Sequence, residues 1–188
     1  MQENNMENIK KEKLDIDKAR EFAEENFEKM DELNYQWNIL HIKYMIKALE
    51  ELTEGKDMDS DRLKALAWVH DIGKIKSEED HASLSVDILS SEFDLDDIDR
   101  DCIINHGGSG NPATEEGRIF QTADGISLFY PEIMLFRFYA EAKEGSGFEK
   151  VLESVKKQYE KYCDKYSDRP EAVEILKEKF EKLFGEYN

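Results

Sequence analysis

Apolar residues return every three or four positions along most of this chain, with no stretch in which they alternate with polar ones. A period near 3.6 marks helices that bury one face, whereas strict alternation marks strands. Leu14 to Met30 places Ile16, Ala19, Phe22, Ala23 and Phe27 on one such face. Asn34 to Glu54 repeats the pattern with Trp37, Leu40, Tyr44, Ile46, Ala48, Leu49 and Leu52, and Gly55 follows where a helix end favours it. A third helix starts near Asp59 or Ser60, either of which can cap it, and runs through Leu63, Leu66 and Ala67 to His70-Asp71, with Gly73 expected to break it. Asp80 is placed to cap a fourth helix through Leu84, Ile88 and Leu89. A fifth begins at Asp94-Leu95-Asp96-Asp97-Ile98 and is expected to end at His106.

The run Gly107-Gly108-Ser109-Gly110-Asn111-Pro112 is the strongest loop signal in the chain. Thr114 to Gly117 opens a sixth helix, which carries Asp124. Pro131 starts or kinks a seventh, Glu132 to Lys143. Beyond Gly145-Ser146-Gly147 lie two more helical segments, about 148–166 and 170–184, with Pro170 suited to a first helical turn. These elements predict a single all-α domain of eight or nine helices. Its parts are a polar N-terminal tail (1–14), a helical core (15–145) and a C-terminal helical extension (146–188) packed on the same domain.

Composition agrees and narrows the function. Three prolines in 188 residues, with many Lys, Glu and Asp, favour helix. A formal charge of -18 repels a nucleic-acid backbone, so a DNA- or RNA-polymer partner is not expected. A small phosphorylated molecule remains suitable, because a bound metal and a local lysine can reverse the field inside a pocket. No apolar run reaches the ~18–20 residues of a membrane span, and no leader pattern opens the chain. The two cysteines, Cys102 and Cys163, read as reduced thiols. Together these features predict a cytoplasmic protein without a membrane partner. Oligomeric state, a homo-oligomer included, is left open.

The chemistry concentrates between residues 41 and 124. All four histidines of the chain, His41, His70, His81 and His106, lie in this stretch. His41 is in line with Met45, Ala48, Leu49 and Leu52 on its helix and so faces the core, either as a hydrogen-bonded core histidine or as a ligand. The doublet His70-Asp71 ends an apolar helix. A histidine there can answer the last carbonyls, but a carboxylate at a helix C-terminus is disfavoured unless a cation stands beside it. Asp124 lies between Phe120 and Leu128 on an apolar stripe, where a carboxylate needs a cation or several donors. His81 and His106 flank helix ends and read as surface residues or as further ligands. Lys74 reads as a solvated lysine or as a charge beside a bound phosphate.

The ordered set His41, His70-Asp71 within His-Asp-Ile-Gly-Lys, and Asp124 within Ala-Asp-Gly resembles the HD superfamily of metal-dependent phosphohydrolases. The similarity runs from about Trp37 to Leu128. It implies an all-α fold in which His41, His70, Asp71 and Asp124 hold a divalent metal, with His81 and His106 resembling the extra histidines of members that hold a second ion. The metal would be Mn, Fe, Co, Ni or Zn. The implied activity is hydrolysis of a small phosphoester, with a nucleotide as the leading substrate class and Asp71 and Lys74 as catalytic residues. Two alternatives stand beside it: a non-catalytic nucleotide- or protein-binding module, and an iron-dependent oxygenase on the same scaffold. The chain departs from the family pattern at Tyr44-Met45, where members often carry arginine and valine, and at Gly125-Ile126-Ser127.

Overall fold

The computed structural model describes residues 11–185, and the first ten residues of the expected polar tail lie outside them. Among the described residues the chain forms nine α-helices and no strand. They are α1 (Ile16–Phe27), α2 (Glu32–Thr53), α3 (Ser60–Val69), α4 (His81–Glu92), α5 (Asp97–Ile104), α6 (Glu115–Ser127), α7 (Pro131–Lys143), α8 (Phe148–Lys165) and α9 (Pro170–Phe184). A 3-10 turn, Ile72–Ile75, separates α3 from α4. The all-α expectation holds.

Short polar side chains start the helices by satisfying backbone N–H groups that have no partner within the helix. Asp15 accepts from Lys18 N, Asp59 from Arg62 N and Thr114 from Gly117 N. Asp96 and Asp99 form a reciprocal capping box on α5. Asp31 caps α2 through Leu33 N and Asn34 N, so this helix begins two residues before the expected Asn34. Pro131 and Pro170 each open a helix, as a residue without an N–H can.

Three boundary expectations are corrected. Gly73 does not break α3, which ends at Val69 with His70 as its C-cap; Gly73 lies inside the 3-10 turn. Asp80 precedes α4, but its side chain makes no capping bond. Helix α5 stops at Ile104, and Asn105 is its C-cap, so His106 stands just beyond the helix.

Helix α2 packs along α6, α3 packs on α1, and α5 lies against both α4 and α6. Met45, Leu49, Leu66, Ile72, Ile103 and Phe120 are buried where these elements meet. Helices α7, α8 and α9 contact one another, and α9 reaches α6. Their packing is aromatic: the Phe129 ring lies 6.0 Å from both Tyr159 and Tyr162, and Tyr159 stacks on Phe180 at 4.2 Å. Tyr166, fully buried, donates from its hydroxyl to Gln121 O at 3.0 Å. Gly125 makes this approach feasible, since a Cβ there would lie 2.2 Å from the Tyr166 hydroxyl. Among the described residues no helix is long and apolar enough to cross a membrane.

Candidate metal centre

Four elements converge on Asp71. Helix α2 brings His41, the C-cap of α3 brings His70, the first residue of α4 is His81, and His106 follows α5. Asp124, in the last turn of α6, closes the group. The six side chains named from sequence therefore meet, and His70, Asp71, His41, His106 and Asp124 are all buried. His81 is the most exposed, with 23% of its side chain accessible.

The distances divide the cluster about the two oxygens of Asp71. On one side, Asp71 Oδ2 is 3.3 Å from His70 Nε2 and 3.9 Å from His41 Nε2. His41 Nε2 is 3.3 Å from His70 Nε2 and 3.1 Å from Asp124 Oδ1, which is 3.7 Å from His70 Nε2. On the other side, Asp71 Oδ1 lies 3.3 Å from both His81 Nε2 and His106 Nε2, which are 3.1 Å apart. His41, His70 and Asp71 form one group that could hold a metal ion, and Asp71, His81 and His106 form a second. Asp71 belongs to both.

The hydrogen-bond network assigns the ring protons. His70 Nδ1 faces Ala67 O at 2.9 Å, and His81 Nδ1 and His106 Nδ1 face Glu78 O and Ile103 O at 2.6 Å. A carbonyl oxygen only accepts, so each Nδ1 carries the proton, and in the neutral ring Nε2 presents a lone pair. Ser127 gives the same result for His41. Its hydroxyl donates to Asp124 O at 2.6 Å and is 3.0 Å from His41 Nδ1, which then donates to it. With the rings neutral, four Nε2 lone pairs and two carboxylates thus point at one another. Asp71 Oδ1 is buried and without a hydrogen-bond donor. Such a cluster is repulsive without a cation, and its imidazole and carboxylate donors suit a divalent transition metal. The residues present fit the group that the sequence implied.

The titration behaviour has the same origin. Burial lowers the pKa of His70, outweighing the pull of Asp71. Burial would raise Asp71, but His70 and then Lys74 hold it well below the usual carboxylate range. Burial also opposes the charge on His106, yet its pKa is raised because the Asp71 carboxylate outweighs that penalty. Asp124 is lowered against burial, chiefly by His41. The negative potential of the two carboxylates thus draws positive charge into the cluster. Lys74 is not the solvated lysine of the plainer reading. Its Nζ lies 2.7 Å from Asp71 Oδ2, with 15% of the side chain exposed, and it supplies the cation a carboxylate near a helix C-terminus requires.

Sequence reasoning did not find several residues that shape the site. Ser127, which fixes the His41 tautomer, falls at i+3 from Asp124, and that helical spacing was its only signal. Trp37 lies parallel to His41, with ring centroids 6.4 Å apart. Together with Lys74, Glu78, Phe136, Arg137 and Gln158 it lines a cleft of about 370 Å³ beside the cluster. The α7 and α8 members of that lining come from the C-terminal part of the chain, where spacing to the histidines carries no information.

Neither the curated proteins nor the solved structures contain a match to this chain. A family model does match: residues 38–128, from the start of the α2 site face to the residue after α6, fit the model described as HD domain. This stretch contains all six converging side chains, and over it the chain is similar to the HD domain family.

Proposed function

We propose that this protein is a metal-dependent phosphohydrolase acting on a small phosphoester, with a nucleotide as its substrate. The observation that carries this reading is the sharing of Asp71 between two groups of histidines whose Nδ1 atoms are bonded elsewhere, which leaves each Nε2 turned toward the cluster. His41, His70, Asp71 and Asp124 would hold one divalent ion, and Asp71, His81 and His106 a second. When bound, a divalent ion supplies Lewis acidity toward a phosphoryl oxygen and lowers the pKa of water toward neutrality.

The chain's own residues do the rest. Lys74 lines the cleft and keeps its charge, because Asp71 raises its pKa against the effect of burial. A charge held there stabilises the negative oxygens of a phosphoryl group without reorganising during the reaction. Asp71, whose carboxyl stays ionised, is placed to accept a proton from the attacking water. Trp37 and Phe136, 6.0 Å apart on one wall of the cleft, offer an aromatic surface for a nucleobase. A cytoplasmic setting belongs to this reading, as both cysteines are free.

Metal analysis of the wild type, His70→Ala and Asp71→Ala tests the ligands, and a screen of nucleotides and general phosphoesters with manganese tests the reaction. We expect both variants to lose bound metal and the wild type to release phosphate only with metal present. Undiminished metal in both variants, or no metal-dependent turnover of any ester, would refute the proposal.

A further inference from the structure

Helix α8 lies outside the stretch that matches the HD domain, yet one of its faces meets the cleft that holds Lys74 and the loop that follows His106. At 100° per residue, Ser154, Gln158, Lys161 and Lys165 fall within an arc of about 60°. Gln158 lines the cleft that also holds Lys74. Lys161 and Tyr162 press on the glycine loop: a Cβ on Gly108 would lie 3.4 Å from the Lys161 nitrogen and from the Tyr162 hydroxyl. Lys165 donates to Gly108 O at 3.0 Å and Gly107 O at 3.4 Å, on the residues that directly follow His106.

The charge on this face runs against the rest of the molecule. The chain carries a net -18, and other lysines of α8 and α9 are neutralised in the usual way, Lys157 by Glu153 at 2.7 Å and Lys182 by Glu178 at 2.6 Å. Among the described residues no carboxylate is in ion-pairing range of Lys161 or Lys165. The acids of α8, Glu149, Glu153, Glu160 and Asp164, lie about 90–150° around the helix from the centre of this face. Burial lowers the pKa of Lys165, and so do the like charges of Lys161 and Arg169, with Asp124 near enough to oppose them. Lys161 is exposed and Lys165 half-buried against the loop after His106, and two like charges one helical turn apart repel modestly unless an anion joins them.

We propose that Lys161 and Lys165 receive a second, non-scissile phosphate, so that the substrate class is a phosphoester bearing at least two phosphoryl groups. This rests on the phosphohydrolase reading above and deepens it. The cleft and Lys74 take the ester under attack, while the α8 lysines take the further phosphate and select against monophosphates.

The test uses the full chain loaded with Mn²⁺, free metal held constant, and calorimetric titration with orthophosphate and with pyrophosphate. We expect the wild type to bind pyrophosphate more tightly. The double variant Lys161→Ala, Lys165→Ala should lose about tenfold in pyrophosphate affinity, the scale of a charge-assisted contact, with orthophosphate binding within about twofold of wild type. Because Lys165 also ties the glycine loop, Lys161→Ala alone should show part of the loss, and Lys165→Arg should restore most of it. Unchanged pyrophosphate affinity in the double variant overturns the proposal. So does an equal loss for both anions, or a wild type with no preference for pyrophosphate. Lysine-dependent pyrophosphate binding in a protein that hydrolyses no ester would support the phosphate receptor and refute only the hydrolase reading.

Discussion

Gly73 has no side chain because the first turn of α4 occupies its space. A Cβ built on it would lie 2.1 Å from His81 O, 2.8 Å from Ser85 N and 2.9 Å from His81 C. All three neighbours are backbone atoms, so no rotamer change relieves the contact. To reach even 3.0 Å the His81 carbonyl must retreat by about 0.9 Å. That carbonyl belongs to the residue whose imidazole contacts Asp71 Oδ1, and a metal site tolerates errors of only about 0.2 Å in ligand position. Gly73→Ala therefore displaces His81 by several times the tolerance while leaving His41, His70 and Asp124 on helices it does not touch. The variant should bind one Mn²⁺ fewer per chain, as His81→Ala should. The overpacking, with strain on the 2.8 Å bond from Gly73 N to Ser85 Oγ, should cost about 2–3 kcal/mol. With a urea m-value of ~2 kcal/mol/M, the unfolding midpoint falls by about 1 M. Gly107→Ala is the control, since a Cβ there meets nothing within 4 Å. Elemental analysis and urea titration read both effects. A Gly73→Ala protein with the wild-type midpoint and full metal content would refute the claim that this contact sets His81.

Three further outcomes follow from single contacts. Ser127→Ala removes the acceptor that keeps the proton on His41 Nδ1; metal affinity should fall by about tenfold, and equal affinity in a competition titration would exclude this role. Asp101 accepts from Ala113 N, Thr114 N, the Thr114 hydroxyl and Asn105 Nδ2, and its pKa is lowered because the Thr114 and Ala113 bonds overcome burial. Its contribution to stability is therefore full above the ordinary value of 3.8 and is lost as pH falls through the folded value. Asp101→Asn should lose this dependence, so the stability gap to wild type should be constant above about pH 5 and narrow in acid. Tyr166→Phe leaves Gln121 O without its buried donor and should cost about 1 kcal/mol by thermal or urea unfolding; a neutral result would mean that the hydroxyl is not needed there.

Much of this architecture was readable because the signals are local. The periodicity of Leu14–Met30 and the caps at Asp15, Asp59 and Thr114 are properties of a few neighbouring residues, and the structure uses them as expected. Gly73 misled because glycine has two uses, conformational freedom and lack of volume, and sequence does not separate them. Here volume decides, through a contact with α4 eight residues away. The six-residue cluster was legible because buried carboxylates and imidazoles are costly and so stand out on apolar stripes. The cleft was not legible. Phe136, Arg137 and Gln158 look like ordinary positions of amphipathic helices, and only the packing of α7 and α8 brings them beside Lys74.

The placement of histidines at helix ends explains how a chain this acidic keeps the cluster in order. His70 and His106 each return Nδ1 to the carbonyl three residues earlier, Ala67 O and Ile103 O, at the C-terminal ends of α3 and α5. Carbonyls in a last helical turn have no partner within the helix, so one bond completes the helix end and fixes the tautomer. His81 repeats the geometry on Glu78 O, before α4. Asp71 has left the helix, with φ -99° and ψ 9°, and is freed from the divergence of about 100° that adjacent helical residues would impose. Its two oxygens can then face different histidine pairs. His41, mid-helix in α2, has its own helical carbonyls already bonded and cannot use this device. It relies instead on Ser127 from α6, three residues after Asp124. The one histidine without a helix end is thus the one whose tautomer is fixed by a side chain from another helix.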